Sequence, residues 1–371
     1  MNLGLGLRRS LLWSLSASGL PALVARAHGG PGGILSFHRI YAPVDDEFGS
    51  LALSVSPTNF RHVIETLIQR RYRFLSMSAL VDHLLQPRQM SEKFVSLTFD
   101  DGFFDTYTNA FAICREFAVP MTVYLVSSFI RNDFPVWSVG LERIVAANAH
   151  IELDWPGEKM TLSSRTRRQK RQAYQAVASR FVLARPEEVA TACAALGRRY
   201  KVNFQTVGRR HVLSHAMIRE MQQSGLVEFG AHTVHHCYLS RLDDRMARAE
   251  IAQSKLDCEA IVGAEVRHFA YPYGDRAAFG PREIAICREL GFHSAVTTES
   301  DTIRPSDRAR LLSLPRLSYS GEFQDTPLLD LLLSGTLPAI RRTLAGRSAP
   351  SPLKPALSSV QERPAKVSER G

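Results

Sequence analysis

Two rhythms of apolar positions alternate along the chain. Short, nearly unbroken runs of β-forming residues occupy 32–39, 94–99, 119–126, 226–232, 267–271, 294–297 and 312–316, with a brief extended piece at 72–75. Runs of this kind read as strands buried on both faces. Between them, apolar residues recur at helical spacing. Phe60, Val63, Ile64 and Leu67 line one face of a helix that opens at Ser56-Pro57, with proline at the first helical position. Further helices are expected over 77–85, 106–117, 214–224, 243–262, 281–290 and 325–344. Strand, helix, strand at this spacing implies a parallel sheet. The count suggests an α/β fold, a distorted (β/α) barrel of about seven parallel strands.

The rhythm breaks over residues 131–210, a basic, Ala- and Arg-rich stretch with turn signals at Asp154-Trp155-Pro156-Gly157 and Arg185-Pro186. It reads as a helical insertion packed over the barrel mouth, not a separate domain, and could equally form a lid. Residues 1–30 form an N-terminal amphipathic or targeting segment, 31–345 the barrel with its insertion, and 346–371 a basic tail rich in Ser, Pro and Lys, expected to be disordered.

Composition adds compartment and partners. The formal net charge of +10 favours anionic surroundings, whether glycan or membrane surface. No nucleic-acid motif accompanies it, and nucleic acid is not expected as a partner. Five dispersed cysteines without a CxxC pair fit a reducing compartment. Arg8-Arg9 precede an apolar stretch that is too short and too polar to span a bilayer, and Ala25-Arg26-Ala27 resembles a signal-peptidase site. The expectation is a cytoplasmic protein with peripheral membrane contact through this segment. The alternative is export by a cleaved signal.

Chemistry concentrates where two strands end. Ser96-Leu97-Thr98-Phe99 runs into Asp100-Asp101-Gly102. Adjacent carboxylates repel, so either they cap the following helix or a cation holds them. His232-Thr233-Val234-His235-His236 follows another strand. His232 and His236, or His232 and His235, can face one point, unless the cluster is a solvated turn. Joined to Asp101, His232 and His236 make a ligand set for a divalent metal, zinc above all. Asp100 then remains free as general base.

These residues resemble the polysaccharide deacetylases of carbohydrate esterase family 4, which include nodulation-type chitooligosaccharide deacetylases. The likeness rests on Thr98-Phe99-Asp100-Asp101-Gly102, His232-Thr233-Val234-His235-His236 and Phe269-Ala270-Tyr271-Pro272-Tyr273-Gly274, in that order, over roughly residues 33–320. It implies a distorted (β/α) barrel and metal-dependent removal of N-acetyl, in some members O-acetyl, groups from an acetylated glycan of chitooligosaccharide or exopolysaccharide type. By the same resemblance Asp101, His232 and His236 are the metal ligands, Asp100 the base, and the Tyr273 backbone N–H the oxyanion donor. Two departures stand out. Ala270 occupies the position where many members carry the arginine that holds the base, and Arg316 is expected to supply that charge. Leu317-Ser318-Tyr319 lacks the late histidine that many members use as acid. His38 is expected to replace it, since Ser36-Phe37-His38-Arg39 looks like the corresponding segment of biofilm-glycan deacetylases, with His293 and His268 as weaker candidates. An open groove lined by Trp137, Tyr271 and Tyr273 would suit a glycan. A closed pocket would suit a small non-sugar amide, and a non-catalytic glycan-binding role on the same fold is the other alternative.

Overall fold

The computed structural model describes residues 5–42, 53–86, 92–155 and 158–345. Its principal sheet has eight strands: β1 Gly32–Phe37, β2 Arg73–Phe74, β3 Phe94–Phe99, β4 Met121–Leu125, β5 Val227–Ala231, β6 His268–Ala270, β7 Ser294–Val296 and β8 Leu317–Ser318. They run in the order β7-β6-β5-β4-β3-β1-β8, with β2 laid against the start of β3, and every pairing is parallel. The sheet curls into a half-barrel wrapped by helices. A single bridge, Val296 to Leu314, ties its far edge to the segment that leads into β8.

The central strands are apolar on both faces because both faces are covered: every residue of β1, β3 and β4 is buried. Phe37 stacks on Phe99 at 5.4 Å and meets Phe60 edge-on at 5.2 Å. Phe60 comes from helix Pro57–Gln69, whose buried face is Phe60, Val63, Ile64 and Leu67 and whose N-cap Ser56 accepts the Asn59 N–H. Helix His215–Gln223 is capped by Ser214 and helix Asp244–Val262 by Asp243 in the same way.

Five elements differ from the expectation. The insertion is not wholly helical: His150–Trp155 and Glu158–Ser163 form an antiparallel hairpin between its helices. Ile151 and Leu153 are buried while His150 and Asp154 are exposed, a period of two inside an otherwise helical stretch. The helix expected over 106–117 begins as a π-helical turn, Thr106–Phe111, and becomes α-helical at Ala112–Glu116. The strand expected over 312–316 lies wholly beyond that range, at Leu317–Ser318, after a 3-10 segment Pro305–Ser313. Pro315, which has no N–H, interrupts the ladder between Leu314 and β8. The closing helix is two helices, Leu328–Leu333 and Thr336–Ala345, parted at Gly335 with φ 76°. The N-terminal segment likewise divides into Leu5–Ala17 and Leu20–His28 around Gly19 at φ 73°. The tail from 346 onward lies outside the described residues.

Candidate active site

Parallel strands deliver their C-terminal ends to one rim, where barrel chemistry is usually housed. Asp100 and Asp101 leave β3 there, His38 leaves β1, His232 leaves β5, and the Tyr271–Gly274 turn leaves β6. Arg316 arrives just before β8. The backbone bends sharply at this rim. Asp101, Thr233, His236 and Tyr273 all have positive φ, at 73°, 64°, 54° and 61°. Such conformations are costly for non-glycine residues and gather at functional sites.

Asp101, His232 and His236 place one ligand atom each within 4.8 Å of one another. Asp101 Oδ1 lies 3.6 Å from His232 Nε2 and 3.2 Å from His236 Nε2. That oxygen is buried and has no hydrogen-bond partner, a costly condition that a cation would relieve. Nδ1 of His232 sits 2.7 Å from the Ala270 carbonyl. A carbonyl only accepts, so Nδ1 carries the proton and Nε2 turns its lone pair toward Asp101. Burial pulls both imidazoles down to about 4, against the attraction of Asp100. Both are therefore neutral near pH 7, the form that binds metals. Burial also raises the Asp101 carboxyl. The donor set, its open side and the orphaned oxygen fit a divalent transition metal.

The neighbouring carboxylate is held differently. Arg316 is fully buried, and its two terminal nitrogens donate to Asp100 Oδ1 and Oδ2 at 2.7 Å each. Its Nε donates to the Thr297 carbonyl at 2.9 Å, so the guanidinium is fixed in plane. Burial alone would push the Asp100 carboxyl up, but the Arg316 charge overrides it and holds the group well below the usual carboxylate range. His38 Nε2 stands 3.8 Å from Asp100 Oδ2 and is partly exposed at the rim. His268 and His293, the weaker acid candidates, lie at the opposite ends of the strands. His268 is bonded to Ser78 and Ser294, and His293 precedes β7.

The groove expectation is corrected at two positions. Tyr271 is fully buried, stacked on Phe279 at 4.1 Å with its hydroxyl donating to Leu312. Trp137 packs edge-on against Phe181 within the insertion, and Phe181 in turn stacks on Trp155. Tyr273 does stand at the site, 4.8 Å from the His236 ring and 5.5 Å from Tyr238.

Two supports were not foreseen. Glu250, buried on helix Asp244–Val262, accepts the backbone N–H groups of Val234 and His235 at 3.0 Å and contacts His235 Nδ1 at 2.5 Å. It thereby grips the loop that carries both imidazoles. An acid on the apolar face shared with Ala247, Ile251 and Ser254 is the signal that could have revealed it. The segments that flank the insertion also touch both halves of the site. Just before it Ser128 donates to the Val234 carbonyl at 2.5 Å, and just after it Leu213 N–H donates to the Gly102 carbonyl at 2.9 Å.

Fold and site together define the class: a (β/α) half-barrel with paired carboxylates and imidazoles gathered on its C-terminal rim. The chain belongs to the polysaccharide deacetylase family, whose profile it matches over residues 88–295. It is similar to YxkH of Bacillus subtilis (strain 168), 18% identical over 248 residues, which cover 67% of this chain and 60% of that relative. Among solved structures, the Streptococcus pyogenes deacetylase PplD shares the fold at TM-score 0.55 and 19% identity, covering 81% of this chain and 96% of PplD. IcaB from Ammonifex degensii does so at 0.54 and 18%, covering 83% and 98%.

Proposed function

We propose that the protein is a divalent-metal-dependent deacetylase, zinc being the metal of best fit, that hydrolyses N-acetyl or O-acetyl groups on a polysaccharide or oligosaccharide. The observation that carries this reading is the pairing of two unlike carboxylates. One, Asp101, faces two neutral imidazoles with an orphaned oxygen, and the other, Asp100, is locked beside it by a buried arginine. The similar PplD was solved in complex with acetate, in keeping with an acetyl-transferring rim.

Asp101, His232 and His236 would hold the ion. When bound, it supplies Lewis-acid polarisation and a lowered pKa for a water in the site. Asp100 takes the proton from the attacking water. Its low proton affinity makes it a weak base, adequate only toward an acidified water. Arg316 keeps Asp100 ionised and aims both of its oxygens. The Tyr273 backbone N–H donates to the oxygen on which negative charge develops. His38, beside Asp100, returns a proton to the departing amine or hydroxyl.

The test is acetate release from N-acetylglucosamine oligomers and acetylated exopolysaccharide, after chelation and after zinc is restored. Zinc-dependent release that Asp100→Asn lowers by about 10²–10⁴-fold is the expected result. Metal binding at the three ligands without release from any acetylated glycan overturns the reading in favour of a small amide substrate or a binding role.

A further inference from the structure

The first two helices present a surface that the barrel does not use. Among the described residues, five of the large apolar side chains left exposed fall between residues 7 and 23, and the other six are scattered singly over the rest of the chain. They are Leu7, Leu11, Trp13, Leu20 and Leu23, with Trp13 57% and Leu23 63% exposed. Isolated apolar residues on a surface need no explanation, whereas a cluster does.

The cluster is not loose chain. Arg9 donates through Nε and a terminal nitrogen to the Glu322 carbonyl at 3.3 and 3.0 Å and pairs with Asp325 at 3.1 Å. Helix Leu5–Ala17 packs on Leu328–Leu333, and Leu20–His28 packs on Thr336–Ala345. Both helices are thus tied to the body, while these leucines and the indole remain exposed.

Charge identifies the occupant of that outer side. Residues 1–28 contain Arg8, Arg9 and Arg26 but no Asp or Glu. With Arg9 paired inward, the half-exposed Arg8 lies within the apolar cluster in sequence and the exposed Arg26 follows it. Leucine and tryptophan beside arginine, without acids, is the composition of a helix lying in the headgroup plane of an anionic bilayer. No helix of the described residues is long and apolar enough to cross a membrane. We propose that helices Leu5–Ala17 and Leu20–His28 dock the protein flat on an anionic lipid surface, with Leu7, Leu11, Trp13, Leu20 and Leu23 entering the acyl boundary and Arg8 and Arg26 meeting the headgroups. Two other occupants fit less well. A second copy would set Arg8 and Arg26 against their own counterparts. The chain beyond Ala345 is basic, with Arg347, Lys354, Arg363, Lys366 and Arg370 against Glu362 and Glu369. It would be repelled by the arginines but drawn to the same bilayer.

The docking stands apart from the deacetylase reading, and its test needs no turnover. The full chain is sedimented with vesicles of phosphatidylcholine alone or mixed with phosphatidylglycerol. Binding is expected only to the mixed vesicles, weakening with salt, with a blue shift of tryptophan emission that Trp13→Phe removes. Leu7→Ser/Leu11→Ser/Leu23→Ser is expected to lower vesicle affinity by about tenfold or more. Arg8→Glu/Arg26→Glu is expected to erase the preference for anionic lipid. Four results overturn the proposal: no binding to the mixed vesicles, or equal binding by wild type and the serine variant; a wild-type dimer in light scattering that the serine variant dissociates; binding that emerges only when the chain beyond Ala345 is removed; or a chain from its source cells that begins after Ala27.

Discussion

Arg316 fixes the buried Asp100 carboxylate from a distant point in the sequence. Its guanidinium occupies a fully buried position and satisfies both oxygens of a buried carboxylate. Removing one partner of such a pair leaves an uncompensated charge, at a cost of about 3–5 kcal/mol. Arg316→Ala is therefore expected to lower both stability and turnover, with acetate release falling by about 10²-fold or more. Arg316→Lys keeps the charge but not the fork, and should fall between. Denaturant midpoints measured beside initial rates separate the two effects, and full turnover in Arg316→Ala would exclude the positioning role. This pairing was legible before the structure because a lone arginine at a strand boundary and an alanine where charge was expected pointed at each other. His38 was legible as a strand-end residue in the same way. Trp137 and Tyr271 were misplaced because aromatic side chains suit cores and sugar faces equally well, and only packing against Phe181 and Phe279 decides between them.

The loop from His232 to His236 is set by elements on either side of it. Glu250 reaches it from helix Asp244–Val262, and Ser127 and Ser128 reach it from helix Ser127–Arg131, just ahead of the insertion. Glu250→Ala should free the Val234 and His235 N–H groups and blur the spacing of the imidazoles. An outer partner of metal ligands typically contributes 10–100-fold to metal affinity, so zinc affinity by chelator competition should weaken by about that factor. Glu250→Gln keeps an acceptor for the backbone donors and should recover part of the affinity. Unchanged affinity in both variants would leave Glu250 a packing residue only. Helices with a single apolar face, such as Pro57–Gln69, were readable from spacing because burial follows the 3.6-residue period. The hairpin at His150–Ser163 was not, since its alternation lasts only a few residues between helices Trp137–Ala147 and Arg167–Leu183. Nor was the division of the closing helix, because a glycine between Ser334 and Thr336 does not by itself disclose that the backbone takes a left-handed turn there.

For the molecule as a whole, the same burial that readies the site makes the fold sensitive to acid. His232, His236 and His268 are all pulled down from an ordinary 6.5 to about 4 by burial. Below 6.5 each takes up a proton on unfolding, while the folded protein resists doing so until about 4. The unfolded state thus binds more protons across this window, and stability must rise with pH through it and be lost as pH falls. Asp100 acts in the same direction lower down. Its carboxylate is stabilised by Arg316 above its ordinary 3.8 and loses that stabilisation under stronger acid. Guanidinium unfolding of chelated protein should therefore give a lower midpoint near the bottom of the window than at its top. The scale is on the order of 3 kcal/mol per imidazole for the full crossing. His268 lies at the far ends of the strands, away from the candidate ligands, and provides the control. His268→Gln should flatten the dependence by one imidazole while leaving zinc affinity unchanged. Zinc should add stability that itself fades with acid, because protons and metal compete for His232 and His236. A midpoint that stays level across the window in chelated wild type would mean that these imidazoles are protonated in the fold, and would remove the physical basis for treating them as ready ligands.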